Sequence, residues 1–185
     1  MIFDPFVGKL ALFRVHQGTV TKDSQLYIGD GRKPFKVGHL FTFFGKEHPR
    51  VNEGIPGDIR AVAKVDEIHP DAILHDSHDE DYLHLQPSRF PLPVAGLAIQ
   101  VKRTQDEQRL SDAVRKLLEE DPCLALESNQ TTRETVLRGL SELHLRIAIE
   151  QLEARYKVEL ETSKPSVAYR ETITRKARAQ YRHKK

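Results

Sequence analysis

The chain's 185 residues leave room for one large or two small domains, each burying a modest core. Lys and Arg number 29 against 27 Asp and Glu, which excludes the overall basic excess of a free-standing nucleic-acid binder and confines any RNA contact to a local patch. The single cysteine, Cys123, excludes an intramolecular disulfide and suits a reducing compartment. No apolar run nears the roughly 20 residues of a membrane span, and Met1-Ile2-Phe3-Asp4-Pro5 has no signal layout, so a soluble cytoplasmic chain is expected.

From Val7 to about Leu85 the pattern is one of short strands broken by turns. Val7 to Val15 alternates with both faces largely apolar, as in a strand covered on two sides, and His16-Gln17-Gly18 turns the chain. Ser24 to Ile28 and Phe35 to Phe41 read as a hairpin across Gly29-Asp30-Gly31-Arg32. Turn chemistry at Asn52-Glu53-Gly54 and Ile55-Pro56-Gly57-Asp58 leads to Ile59, Ala61, Ala63 and Val65 on one strand face. Ala72 to Leu74 and Tyr82 to Leu85 close the series, and the whole predicts a small all-β barrel over residues 1–86.

Three prolines within Gln86 to Pro93 mark an extended connector over 87–93. Beyond it the periodicity changes. Leu97, Ile99 and Val101 alternate as a strand, and Thr104-Gln105-Asp106-Glu107 has capping-box spacing. Leu110, Ala113, Val114, Leu117 and Leu118 form one helical stripe, Asp112 and Lys116 pair on the wet side, and Pro122 ends the helix. Cys123 to Glu127 and Thr135 to Arg138 flank a polar hairpin loop. A second helix is capped by Ser141, with Leu145, Ala148, Ile149, Leu152 and Tyr156 on one face, before Val158 and Leu160 alternate again. The order strand, helix, strand, strand, helix, strand predicts an α+β ferredoxin-like sandwich over 94–163.

Function is less legible than fold. His69, His75, Asp76, His78, Asp79, Asp81 and His84 offer metal-ligand chemistry, but a polar connector between strands is the favoured reading, and no metal site is assigned. Glu142 and His144 lie two apart on a helix and face different sides, so they are not read as an acid-base pair; His144 is taken as structural. Cys123 has no evident activating base. The tail carries Arg175, Lys176, Arg178, Arg182, Lys184 and Lys185, a local basic run that could meet RNA.

Several words in fixed order carry a resemblance. They are Asp4-Pro5-Phe6-Val7-Gly8-Lys9-Leu10, Phe13-Arg14-Val15, Gly18, Gly57-Asp58-Ile59, Leu117-Leu118-Glu119-Glu120-Asp121-Pro122, Gly139-Leu140-Ser141-Glu142-Leu143-His144-Leu145, and Lys164-Pro165-Ser166-Val167-Ala168-Tyr169-Arg170-Glu171-Thr172-Ile173. Together they resemble the elongation factor G family of translational GTPases, over nearly the whole chain. The resemblance implies most of domain II in residues 1–86, with an N-terminal strand missing and a barrel edge exposed. It implies domain III in 94–163 and the first strand of a truncated domain IV in 164–185. Gly18, Gly57, Asp58, Gly139, Glu142 and His144 fall on family-motif positions.

No Gly-x-x-x-x-Gly-Lys-[Ser/Thr] occurs, so this chain is expected to have no catalytic residues and to bind no cofactor; GTP and Mg belong to the GTPase domain of the parent polypeptide. The partners implied are the ribosome, through rRNA and ribosomal proteins, and that GTPase domain, with no membrane and a monomeric state. Candidate rRNA contacts are Lys9, Arg14, Lys46 and Arg50. Ser141 stands where the family commonly has glycine and Arg146 where it has an acid, and the loop from Asn129 to Glu134 also differs, which points to a divergent paralogue. A ribosomal protection GTPase that expels tetracycline, a stand-alone interaction module and a metal-dependent hydrolase are the alternatives.

Overall fold

Alternation along Gly8–Arg14 buries consecutive residues, Leu10 and Ala11, because both faces of that strand are covered. The computed structural model describes residues 1–4, 6–45 and 47–184. Within them, the strands that come first are β1 (Ile2–Asp4), β2 (Gly8–Arg14), β3 (Val20–Thr21), β4 (Gln25–Ile28), β5 (Phe35–Lys36), β6 (Leu40–Phe41), β7 (Arg50–Val51), β8 (Glu53–Gly54), β9 (Ile59–Ala63) and β10 (Leu74–His75). They form a five-stranded sheet in the order β1-β2-β9-β6-β7, a three-stranded sheet β10-β4-β5 and a two-stranded ribbon β3-β8. One face of the large sheet packs Ala11, Leu40 and Val62 against Leu26, Val37 and Ile68; the other carries Leu10, Phe41 and Ala61.

The ladders differ from the expected closed barrel. A barrel needs each strand bonded to two neighbours around a ring, whereas among the described residues β4, β5 and β10 do not join either edge of the large sheet. Many of the ladders are only two residues long. The expected strand Phe35 to Phe41 divides into β5 and β6 in different sheets, and Val37 between them is fully buried and bonds Ser24. Ala72 bonds back to His69 in a turn, so the strand expected at Ala72 to Leu74 begins at Leu74. Tyr82 to Leu85 forms no strand. Ser77 caps a short 3-10 turn at His78–Glu80, and Leu83 N–H bonds back to Glu80 O, leaving Tyr82 and Leu85 exposed.

The second group consists of β11 (Ala95–Val101), α1 (Glu107–Glu120), β12 (Ala125–Asn129), β13 (Glu134–Gly139), α2 (Glu142–Tyr156) and β14 (Leu160–Ser163). Its sheet order is β12-β13-β11-β14, antiparallel at every pairing. Leu137, Leu152, Val158 and Val114 are its largest fully buried side chains. The α1 stripe lies as its period requires, with Ala113, Val114 and Leu117 buried and Leu110 and Leu118 packed beside them.

Two polar expectations around α1 are replaced by other contacts. The capping box at Thr104 does not form, because the chain enters through a 3-10 turn at Thr104–Asp106 in which Asp106 N–H bonds Arg103 O. Asp112 meets Arg115 at 3.7 Å rather than Lys116, whose ammonium lies 5.7 Å from the Tyr156 ring centroid. Burial raises the Tyr156 phenol above its ordinary pKa. Ser141 caps α2 as expected, its Oγ accepting the His144 N–H at 3.2 Å.

Candidate functional site

Cross-strand register collects a basic and apolar surface on the large sheet. Arg14 stands opposite Ile59, Leu12 opposite Ala61, and Phe41 opposite both Ala61 and Arg50. Directly paired residues share a face, so Arg14 and Arg50 flank one face on which Leu12 and Ile59 are exposed. Both arginines are exposed, and neither makes an ion pair among the described residues. Lys46 lies outside the described residues. Lys9 is engaged elsewhere: its ammonium pairs with Glu119 Oε2 at 3.1 Å and donates to Asp66 O at 2.9 Å, and its side chain is only 12% exposed. A lysine so held is not a free phosphate contact.

The turn before β9 fixes the end of this face. Gly57 has φ +98, a region that favours glycine, and its N–H donates to Val15 O at 2.8 Å while Val15 N–H donates to Asp58 O at 2.9 Å. Asp58 Oδ2 accepts from Ile55 N–H at 2.9 Å and from Arg60 Nη2 at 2.7 Å. Gly18, at φ +72, turns the chain leaving β2.

A junction joins the two groups of elements. On the outer edge of β1, Phe3 turns its N–H and C=O away from β2 and toward α1 and α2. The N–H donates to Glu120 Oε1 at 2.7 Å, and the C=O accepts from Arg155 Nη2 at 2.8 Å. Arg155 also grips Glu120 with both terminal nitrogens, at 2.7 and 3.0 Å. The carboxylate and guanidinium thus satisfy the strand edge as a neighbouring strand would. Glu120 holds the Arg155 guanidinium pKa above its ordinary value. The exposed edge expected from the sequence is therefore covered at Phe3.

A second cluster ties α1 to α2. Leu140 N–H donates to His144 Nδ1 at 3.1 Å, so that nitrogen keeps its lone pair and the proton sits on Nε2, which donates to Asp121 Oδ2 at 2.9 Å. Asp121 Oδ1 accepts the Cys123 N–H at 2.8 Å, leaving the thiol half-buried. Gly139 lies against this ring: a Cβ there would stand 3.0 Å from Leu145 Cδ2 and 3.3 Å from His144 Nδ1. Glu142 begins α2 and has no part in the histidine's bonds. Sequence reasoning missed Asp121 as the partner, since its position 23 residues earlier gives no local signal. His144→Ala is expected to cost about 0.5–1.5 kcal/mol by removing its bonds to Leu140 N–H and Asp121, both of which water can reach; chemical denaturation checks it.

Other polar groups have structural partners. His75 is buried, with Nδ1 at 2.7 Å from Ser77 O and Nε2 at 2.5 Å from Gly29 O, so both ring nitrogens face carbonyls. Ser166 donates through Oγ and N–H to the Glu134 carboxylate at 2.7 and 3.0 Å, clipping the segment after β14 to the start of β13. The hydroxyl first, then the N–H, holds the Glu134 pKa below its ordinary 4.5. A lowered folded value means that the stabilisation is present above 4.5 and is lost as pH falls through that lowered value. Amide exchange at Ser166 should therefore be protected at neutral pH and quicken, relative to its intrinsic rate, as pH falls below 4.5 and through the lowered Glu134 value; unchanged protection would contradict the clip.

The arrangement defines a two-part, sheet-built body coupled by side chains, with a basic and apolar face on its first part. The family model for elongation factor G domain 2 matches residues 1–70, and that for elongation factor G domain III matches 90–164. A crystal structure of a protein from Thermus thermophilus is similar at 36% identity and TM-score 0.75, over 89% of this chain and 24% of that one. The chain belongs to the elongation factor G family, and it spans about a quarter of that solved relative. No helix among the described residues is long and apolar enough to cross a membrane.

Proposed function

We propose that this chain is the central, non-catalytic part of a ribosome-dependent translational GTPase, touching the ribosome and relaying GTP state during translocation. The observation that carries the reading is the Glu120–Arg155 clamp on Phe3, which makes the orientation of α1 and α2 answer to that of β1. Residues 1–86 act as domain II, 87–93 as the connector, 94–163 as a ferredoxin-like domain III, and 164–185 as the start of domain IV, although residues 164–184 form no strand in this structure. The split βαβ strand order of the second sheet supports the ferredoxin-like assignment. GTP and Mg act in the parent's GTPase domain, in the cytoplasm, and the factor works as a monomer.

Arg14 and Arg50 neutralise rRNA phosphates without reading sequence, and Lys46 joins them in this proposal. Relay follows as a population shift, in which the nucleotide state favours one docking of the paired domains. Sedimentation of the purified chain with small ribosomal subunits tests this. Co-pelleting should weaken with added salt and fall further in Arg14→Glu/Arg50→Glu; a chain left in the supernatant at low salt, or pelleting insensitive to both, would contradict it.

A further inference from the structure

An open depression of about 430 Å³ lies at one end of the second sheet, lined by Arg103, Gln105, Asp106, Arg109, Lys157 and Glu159. We propose that it is a second phosphate-binding site, which takes a phosphodiester of RNA. The proposal rests on the ribosomal reading for the source of the RNA but not for its chemistry.

The rim is built rather than incidental. The β11–β14 ladder ends at Val101 opposite Leu160, and Lys102 N–H extends it to Glu159 O at 3.3 Å, which sets Arg103 near the loop that follows α2. Lys157 occupies that loop at φ 57, a left-handed position usually filled by glycine or asparagine. Its backbone N–H closes the end of α2 on Leu152 O and Glu153 O. Two acids share the depression, and each has a cation: Asp106 accepts from Arg109 Nη1 at 3.0 Å, and Glu159 faces Lys102 at 3.6 Å. Arg103 and Lys157 have no carboxylate partner among the described residues. They are two exposed cations at one concave surface.

The chemistry favours a polymer backbone. The lining side chains are mostly exposed and the depression is open to solvent, so it offers point charges instead of the enclosure a free phosphate needs. No aromatic ring lines it, which removes base stacking and leaves a contact blind to sequence. Such a contact positions, and its strength falls with salt.

The test is fluorescence anisotropy of the full 185-residue chain with a labelled single-stranded oligouridylate over a salt series. Removing one phosphate neutralisation on a single strand lowers the slope of log K against log salt by about 0.7. Arg103→Ala/Lys157→Ala should reduce the slope by about 1.4 and weaken binding about tenfold at low salt. Arg175→Ala/Lys176→Ala/Arg178→Ala in the tail should leave that difference intact. Wild-type affinity and slope in the double variant would overturn the proposal, as would failure of the wild type to bind or equal competition by polyglutamate. Subunit pelleting separates the two readings. Pelleting that ignores Arg103 and Lys157 keeps the ribosomal reading and sinks this site; oligouridylate binding through them without pelleting does the reverse.

Discussion

Arg155→Ala is expected to destabilise the junction by about 2–3 kcal/mol and to loosen the relative orientation of the two domains. An exposed ion pair contributes about 0–1 kcal/mol, and breaking a buried one costs about 3–5. Arg155 and Glu120 lie between these limits, with side chains 34% and 16% exposed. Main-chain bonds raise the effect: without the guanidinium, Phe3 C=O loses its donor, and Glu120 is left holding Phe3 N–H alone. A double-mutant cycle with Glu120→Ala should give a coupling of about 1–3 kcal/mol. Spin labels on exposed Asn52 and Glu153 should report one narrow distance in the wild type and a broad distribution in Arg155→Ala. Additive energies with an unchanged distribution would remove the clamp from the account.

Leu137→Ala is expected to cost about 3–5 kcal/mol, and the loss should fall on the second domain. Leu137 is fully buried at the middle of β13, opposite Leu97 on β11 and Leu126 on β12, within the core beneath both helices. Truncation there leaves a cavity that a central strand cannot close by shifting, because it is bonded on both sides. The first sheet's core of Ala11, Val37, Leu40 and Val62 shares no buried residue with it. Thermal unfolding followed by hydrogen exchange should show β11 to β14 opening early while β2 and β9 keep their protection. Loss of both at one temperature would mean that the junction makes the domains a single cooperative unit.

The second domain was largely legible because its signals are local and strong. The α1 stripe, the Ser141 cap and the alternation at Leu97, Ile99 and Val101 each follow one local rule. The Thr104 capping box has the right letters, but the 3-10 turn at Thr104–Asp106 competes for the same start. In the first domain two-residue ladders carry too little periodicity to place Phe35 and Leu40 in separate sheets. Tyr82 to Leu85 looks strand-like in composition and has no ladder to join.

Site chemistry was harder for a different reason. Lys9 reads as a surface charge, and only the fold brings Glu119 to it. The same holds for Asp121 with His144 and for Glu120 with Phe3, which lies 117 residues away. Local words mark such residues as members of motifs without showing what they touch. Arg14 and Arg50 come together through register, a property of paired strands that no single strand displays.

The ribosomal relay is tested most directly in native lysate, separated on a sucrose gradient with a non-hydrolysable GTP analogue and probed with an antibody raised against this chain. The account predicts a band far larger than 185 residues, moving with ribosomes only when the analogue is present. A band that stays at the top of the gradient with and without the analogue would contradict it.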